Sequence, residues 1–232
     1  NIASKNLAIL IYIMRMVCSI IQNPSIPPDT MEHHFHEIIP SIMSCILSPE
    51  LCSKQFEENH WALRIYSSKL ICNLCTNYEN IIPQLRENIV QLVKFSLKST
   101  LDSLTIDKET LKIKSNGQEY DILLFPYGTH FGAFYTFSLM PLELTQIHLL
   151  PLSKQEGALF EALNFQLSKM DNDLLKRDIS KTELQLLQII LAVLKKEGII
   201  EYSTIETMVG KYFASIIHQQ LTNDNENPSS ND

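Results

Sequence analysis

The residues with the most obvious chemical potential form a Cys-x-x-Cys pair, Cys72 and Cys75. Two thiols at this spacing share a helix face and could belong to a zinc site or a redox pair. A zinc site needs two further ligands, and a redox cysteine gains its low pKa at a helix N-terminus. No second pair occurs, and the helix is predicted to start about three turns upstream. The sequence therefore predicts buried, inert cysteines among apolar neighbours such as Ile71 and Leu74.

Histidines form the second candidate, in the stretch EHHFHE. His33 and His36 are predicted to share a helix face, where Glu32 or Glu37 could join them as metal ligands. The pattern is not His-Glu-x-x-His, and no third ligand is marked elsewhere in the sequence. Histidines in the first turns of a helix are usually solvated, so we predict no bound metal and no other cofactor.

Motifs for catalysis are absent from the sequence, and its charge argues against nucleic-acid binding. It has no Gly-x-Ser-x-Gly, no phosphate-binding glycine loop and no Rossmann fingerprint, so nothing supports an enzyme. The net charge of −7 opposes direct binding to phosphate backbones. Five cysteines without a disulfide-like spacing favour a reducing compartment.

The elements that must position these residues are helices. Only six glycines occur, none before Gly117, and apolar residues recur every three or four positions, as in Leu184, Leu187, Leu191 and Leu194. The pattern predicts helices near 4–22, 30–48, 60–78, 82–102, 127–139, 142–149, 154–169, 172–178, 181–197 and 203–221. This is an all-α fold.

Helix boundaries are marked by familiar signals. Ser180-x-x-Glu183 and Ser203-x-x-Glu206 fit capping boxes, in which hydroxyl and carboxylate satisfy free N–H groups at a helix start. Gly198 follows Lys195, Lys196 and Glu197 at a natural C-terminus. These signals predict helices that begin near residues 181 and 203 and one that ends at Gly198.

Paired helices recurring about every 40–50 residues predict an α-solenoid of HEAT-like repeats, with about five helix pairs. Pro40 inside a helix fits this reading, because proline kinks help successive repeats to curve. The predicted domain covers 1–222, with an irregular segment near 103–126 that could hold a short strand pair or a surface loop. The polar tail 223–232 is predicted to be disordered. A compact, non-repeating helical bundle remains an alternative.

The N-terminal run Leu7–Ile21 is apolar over fifteen residues, with Arg15 in its middle. A membrane-spanning helix needs about 20 apolar residues, so we predict a helix that packs on protein and no membrane contact. It is apolar nearly all round, so this end of the chain is expected to carry the largest exposed apolar patch. The chain begins at Asn1 without methionine, which predicts that it is a piece of a longer protein.

The stretch ENHWALRIYSSKLICNLC contains the single tryptophan. Asn59 is a good N-cap, and the apolar arc behind it is wide enough for a helix buried on two sides. We expect Trp61 to pack against the link that follows Pro49. Arg64 is expected to bind a neighbouring carboxylate or the C-terminal carbonyls of a helix, which would fix the angle between repeats.

Two stretches, FHEIIPSIMSCILSPELC and ENHWALRIYSSKLICNLC, resemble the C-terminal HEAT-repeat domains of the TFIID subunit 6 family of TATA-binding-protein-associated factors. The first match is carried by Ile38, Ile39, Pro40 and Ser41, and the second by Asn59, His60, Trp61, Leu63 and Arg64. YGTHFGAFYTFSLMP is similar to the family's Tyr-Gly-Ala-x-x-Gly-Leu helix in Phe131, Gly132 and Ala133, but not in its second glycine. The specific match covers about residues 30–78, with weaker similarity to about 150.

The resemblance implies a nuclear, non-enzymatic scaffold of TFIID that acts in RNA polymerase II initiation and preinitiation complex assembly. Its partners would be other TFIID subunits and SAGA-type coactivators. A histone-fold segment would lie upstream and pair with the ninth TATA-binding-protein-associated factor. The family motif residues would then have structural or partner-binding roles: Pro40, Asn59, His60, Trp61, Leu63, Arg64 and Gly132.

Two other classes of function stay open. One is an unrelated HEAT or armadillo adaptor in transport or trafficking, which an upstream histone fold would argue against. The other is an enzyme or metal protein that uses His33, His36 and the cysteines, which elemental analysis would test.

Overall fold

A computed structural model describes residues 5–55, 57–102, 105–107, 112–115, 118–121 and 125–226. Within these residues the chain forms eleven α-helices and three short strands. The helices are α1 Leu7–Ile21, α2 Pro28–Glu32, α3 Phe35–Leu47, α4 His60–Tyr78, α5 Leu85–Leu101, α6 Tyr127–Ser138, α7 Leu142–His148, α8 Ser153–Leu167, α9 Asp173–Glu197, α10 Tyr202–Val209 and α11 Lys211–Glu226. The strands are β1 Thr105–Asp107, β2 Lys112–Ser115 and β3 Gln118–Asp121. A short 3-10 helix, Leu150–Leu152, lies between α7 and α8.

The predicted helical fold class is confirmed, with one local departure. The segment predicted to be irregular, 103–126, holds the three strands, which form an antiparallel sheet in the order β1-β2-β3. Ile113 pairs with Ile106 on one side and with Tyr120 on the other. The sequence allowed a strand pair here, and the structure adds a third strand.

The predicted break between 172–178 and 181–197 is wrong, because α9 is continuous. Its N-cap is Asn172, whose side chain accepts a hydrogen bond from the backbone N–H of Leu175 at 3.0 Å. Ser180 lies exposed in the middle of the helix. The buried face runs past it without interruption through Ile179 and Thr182, and this packing overrides the apparent capping box.

The predicted helix 203–221 is two helices separated by Gly210. The first begins one residue early, at Tyr202, and Ser203 is not its cap, since its hydroxyl donates to the carboxylate of Glu201 at 2.8 Å. Gly210 has a φ of 86°, a value that ordinary residues rarely adopt, and α11 starts directly after it. Gly198 ends α9 in the left-handed region, as predicted.

The helix predicted over 30–48 is also interrupted. Helix α2 ends at Glu32 and α3 begins at Phe35, so His33 and His34 lie between them. Helix α11 continues to Glu226, so the first part of the tail predicted to be disordered is helical. Residues 227–232 lie outside the described residues.

The sequence predicts one domain over 1–222, and the chain divides into two compact units. Unit 1 comprises Asn1–Leu97 and Pro126–Pro141, and unit 2 comprises Lys98–Phe125 and Leu142–Asp232. In unit 1, α4 packs against α1, α3 and α6. Its buried face explains this central position, because both apolar and small polar side chains on it have almost no exposed surface: Leu63, Ser67, Ser68, Leu70, Ile71, Leu74 and Cys75.

In unit 2, α8 packs against α9, α10 and α11. A polar cluster joins three of these helices. The hydroxyl of Tyr212 donates to Glu183 at 2.5 Å, and the Asn164 amide nitrogen lies 2.7 Å from the Tyr212 oxygen and 3.1 Å from Glu183. Burial and the bond to Glu183 raise the pKa of the Tyr212 phenol, which therefore stays a donor.

None of the helices in the described part of the chain combines the length and the hydropathy needed to cross a membrane.

Candidate functional site: the helix junction around Arg64

Side chains from two other helices bind the carbonyls at the C-terminal end of α3. A helix leaves its last carbonyls without partners inside the helix. Here Arg64 Nη1 donates to the carbonyl oxygen of Ile46 at 2.5 Å, and Nη2 donates to that of Ser48 at 2.7 Å. The hydroxyl of Thr129 donates to the carbonyl oxygen of Leu47 at 2.7 Å. Three consecutive carbonyls at the end of α3, the last of them on the C-cap residue Ser48, thus accept hydrogen bonds from side chains of α4 and α6.

Arg64 is entirely buried. Its Nε donates to Nδ1 of His60, one turn earlier on α4, at 3.2 Å. Because Nδ1 accepts this bond, the imidazole must be neutral at that atom. Burial lowers the pKa of the Arg64 guanidinium to about 9, which leaves it protonated at neutral pH. With the two bonds to the end of α3 and the bond to His60, each of the three guanidinium nitrogens has an acceptor.

No carboxylate within the described residues forms an ion pair with Arg64. The guanidinium is stabilised instead by the negative end of the α3 dipole and by the carbonyls that it binds. The Cys45 and Cys52 thiols lie near enough to affect its pKa. Burial raises the pKa of Cys45 to about 11 and also raises that of Cys52, so both thiols are neutral at physiological pH.

Two glycines on α6 make room for this arrangement. A Cβ atom on Gly128 would lie 2.6 Å from Arg64 Nη2, and one on Gly132 would lie 2.2 Å from the carbonyl oxygen of Ile46. Both distances are too short for any side chain. Helix α6 therefore approaches the last turn of α3 as closely as a backbone can, over the guanidinium of Arg64.

Trp61 closes the same junction on its apolar side. It is 5% exposed, and its ring meets Phe131 of α6 edge to face, with centroids 4.9 Å apart. His60 lies against the indole at 4.3 Å between ring centroids. The sequence predicts that Trp61 packs against the link after Pro49. In the structure, the aromatic contact of Trp61 across the junction is with Phe131 of α6.

The other residues of the Asn-His-Trp-x-Leu-Arg string have simple roles. The side chain of Asn59 accepts from the backbone N–H of Ala62 at 3.3 Å and so caps α4, as predicted. Leu63 is buried in the core of unit 1. The prediction that Arg64 binds the C-terminal carbonyls of a helix is confirmed.

Pro40 lies outside this junction, exposed on α3 nearly two turns before Ile46. It borders two shallow, mostly apolar grooves. One of about 250 Å³ lies between α3 and α1, and one of about 430 Å³ lies between α3 and Leu92 of α5. Ser44 lines both grooves with it. Of the seven motif residues, Pro40 and Asn59 are the exposed ones.

The metal candidates are not assembled. His33 and His36 do not share a helix, because α3 starts between them, and both are exposed. Among the described residues no group of three or more histidine, cysteine, aspartate or glutamate side chains could hold a metal ion. Burial raises the pKa of Cys72 to about 12 and that of Cys75 to about 11, and all five cysteines are free.

Sequence reasoning missed two members of the junction, Gly128 and Thr129. A signal for the first exists, since Gly128 and Gly132 are four residues apart in a predicted helix and therefore share a face. Two glycines on one face of a helix indicate close approach of another backbone. Nothing in the sequence connects Thr129 with Leu47, whose carbonyl it binds from another part of the chain.

The chain is similar to known proteins over its N-terminal two thirds. Residues 1–154 match the family described as TAF6 C-terminal HEAT repeat domain. Transcription initiation factor TFIID subunit 6 of Drosophila melanogaster is 38% identical over 99 residues, which are 43% of this chain and 16% of that protein. The Arabidopsis thaliana protein of the same name is 29% identical over 97 residues, 42% of this chain and 17% of that protein.

A relative from Schizosaccharomyces pombe, named SAGA complex/transcription factor TFIID complex subunit Taf6, is 24% identical over 146 residues. This alignment covers 63% of the chain and 26% of the relative, so the chain spans only a minor part of the proteins it matches. The family match includes every residue of the α3–α4–α6 junction. The chain therefore belongs to the TAF6 C-terminal HEAT repeat domain family.

Proposed function

We propose that this chain is a non-enzymatic, architectural module of a TFIID-type complex that acts in preinitiation complex assembly and transcription initiation by RNA polymerase II. The names of the Drosophila and Arabidopsis relatives support TFIID, and that of the fission-yeast relative supports SAGA as a second complex. On this proposal the chain is nuclear, and its partners are other TFIID subunits. Its net charge of −7 argues against direct contact with DNA.

The observation that carries an architectural role is the use of the family motif inside unit 1. His60, Trp61, Leu63 and Arg64 are all buried. Arg64 donates to a carbonyl of α3, and the Trp61 ring packs against Phe131 of α6. A motif that served as an exposed contact would leave these side chains on the surface. We therefore propose that the motif sets the α3–α4–α6 geometry, and that partners bind other surfaces that this geometry holds in place.

Replacement of Trp61 tests the architectural role. Trp61→Ala should lower the free energy of unfolding by about 3 kcal/mol or more, as for other buried aromatic side chains, and should lower the melting temperature of the chain. Phe95→Ala is the matched control, because Phe95 is an aromatic residue of unit 1 that is 72% exposed. Loss of complex assembly by Trp61→Ala with an unchanged melting temperature would contradict the architectural role and favour a direct partner contact.

Membership of the complex is tested with the full-length protein. A tagged form purified from a nuclear extract of its own cells should bring down TFIID subunits, identified by mass spectrometry. Recovery of transport or trafficking proteins without any TFIID subunit would instead support the adaptor alternative, which the names of the relatives do not favour.

A further inference from the structure

Helix α1 exposes a row of large apolar side chains. The exposed fractions are 43% for Ile9, 70% for Tyr12, 59% for Met16 and 39% for Ile20. At about 100° per residue these four positions fall within an arc of about 80°, so they form one stripe along three turns. The opposite face, with Leu10, Met14 and Ile21, is buried against unit 1.

The stripe does not end at the edge of the helix. Ile13 lies beside it at half exposure and also lines the groove of about 250 Å³ between α1 and α3. Pro40 and Ser44 form the far wall of that groove. A ridge of apolar side chains beside a groove has the shape that receives an amphipathic helix, whose side chains can enter the groove.

Charge indicates what kind of helix would fit. Arg15 is exposed on the flank of the stripe, and it forms no ion pair within the described residues. It is the one charged residue of α1, whose sequence LAILIYIMRMVCSII contains no acid. A partner that places a carboxylate beside Arg15 would gain an ion pair at the rim of the apolar contact, and a lysine there would be repelled.

We propose that this stripe of α1 docks an amphipathic helix from a partner protein, with an apolar face on Ile9, Tyr12, Met16 and Ile20 and a carboxylate beside Arg15. The inference rests on the proposed scaffold function and identifies one surface through which it operates.

A second copy of the chain fits this surface less well. Arg15 lies near the middle of α1, so two copies packed antiparallel about a two-fold axis would bring their Arg15 side chains to the same side of the contact. Like charges at that position oppose association.

The test uses two labelled synthetic helical peptides with the same leucine-rich apolar face, one flanked by glutamates and the other by lysines. Fluorescence anisotropy with this chain should give binding about tenfold tighter for the glutamate peptide at low salt. Arg15→Glu should reverse the preference. The double variant Tyr12→Ser, Met16→Ser should weaken both peptides by about tenfold or more. Phe95→Ser, on an exposed part of α5, is the control and should change neither.

Equal binding of both peptides, or a preference that Arg15→Glu leaves unchanged, would overturn the proposal. Sedimentation of the chain as a dimer that Met16→Ser dissociates would assign the stripe to a second copy. Binding by this chain but not by the full-length protein would assign it to another segment of the same polypeptide. The co-purification experiment does not depend on α1 peptides, so failure of the two proposals can be told apart.

Discussion

The α-carbon of Gly132 faces the carbonyl oxygen of Ile46 so closely that a Cβ atom would stand 2.2 Å from that oxygen. The oxygen belongs to backbone near the end of α3, and it also accepts the hydrogen bond from Arg64. Neither the oxygen nor the helix that carries it can move without breaking the junction. One glycine therefore sets the distance between α3 and α6.

Gly132→Ala should destabilise unit 1 by about 2 kcal/mol or more, because the added methyl group meets backbone and not a flexible side chain. The free energy of unfolding in urea measures this effect. Gly157→Ala is the matched control. Gly157 is also in a helix, but a Cβ atom there would be nearest to a side chain, the Phe213 ring, at 3.2 Å. A loss for Gly132→Ala no larger than for Gly157→Ala would show that the close approach is not a constraint.

Arg64→Met should lower the free energy of unfolding by about 3 kcal/mol or more, because it leaves buried carbonyls of α3 without donors. Arg64→Lys should recover only part of this loss, since an ammonium group cannot reach the Ile46 and Ser48 carbonyls in the way that the guanidinium fork does. Urea titration of both variants gives the comparison. Arg86→Met, which breaks the more exposed pair between Arg86 and Glu79, should lose about 1 kcal/mol or less. Equal losses for Arg64→Met and Arg86→Met would contradict a special role for the fork.

Thiol reactivity should separate the cysteines. Cys18 is half exposed, whereas Cys45, Cys52 and Cys75 are buried and their pKa values are raised by burial. Titration with Ellman's reagent at about pH 8 should therefore show Cys18 reacting first and these three reacting only as fast as the chain unfolds. All five thiols should react at once in denaturant. Rapid reaction of Cys45 in the folded protein would contradict the structure of this core.

Stability should fall at alkaline pH. The thiols of Cys45 and Cys75 have folded-state pKa values of about 11, above the ordinary value of 9.0. Between these two values the folded state holds protons that the unfolded state has released, so the stability present below about pH 9 is lost as the pH rises toward 11. We expect the free energy of unfolding to drop by about 2 kcal/mol or more between pH 8 and 10.5. Replacement of both cysteines by alanine should flatten this dependence, and an unchanged slope would show that other groups cause it.

Tyr212→Phe should destabilise unit 2 by about 1–2 kcal/mol, because Glu183 and Asn164 lose a shared partner between α8, α9 and α11. A double-mutant cycle with Glu183→Gln should show coupling between the two positions. Tyr12→Phe serves as the control, since Tyr12 is 70% exposed. Additive effects of Tyr212→Phe and Glu183→Gln would show that the bond contributes nothing.

The elements that the sequence predicts best are those with local signals. Helix α4 has the predicted bounds 60–78 because Asn59 caps it and its apolar arc is continuous. The kind of partner for Arg64 could also be predicted, since a buried arginine needs carbonyls or a carboxylate. Helix α9 shows the limit of local signals. Ser180 and Glu183 have the spacing of a capping box, but residues three apart are also neighbours on the surface of a continuous helix.

The remaining features depend on contacts between distant parts of the chain. Gly132 is a recognisable motif residue, but its role follows from the position of Ile46, which no local pattern encodes. The same holds for Thr129 and Leu47. The sequence does not predict the break at Gly210, because the apolar period continues from Val209 to Phe213 across it and the glycine conformation is visible only in the backbone.

Unit 1 is assembled from two separate pieces of chain, and this order has a consequence for synthesis on the ribosome. Residues 98–125, which belong to unit 2, emerge before α6 does. Until α6 emerges, the Leu47 carbonyl lacks the hydrogen bond that Thr129 donates, and the Trp61 ring lacks its contact with Phe131. Although unit 1 is the first to emerge, it cannot be completed until α6 follows the intervening residues of unit 2, and its exposed apolar surface is meanwhile a natural target for chaperones during translation.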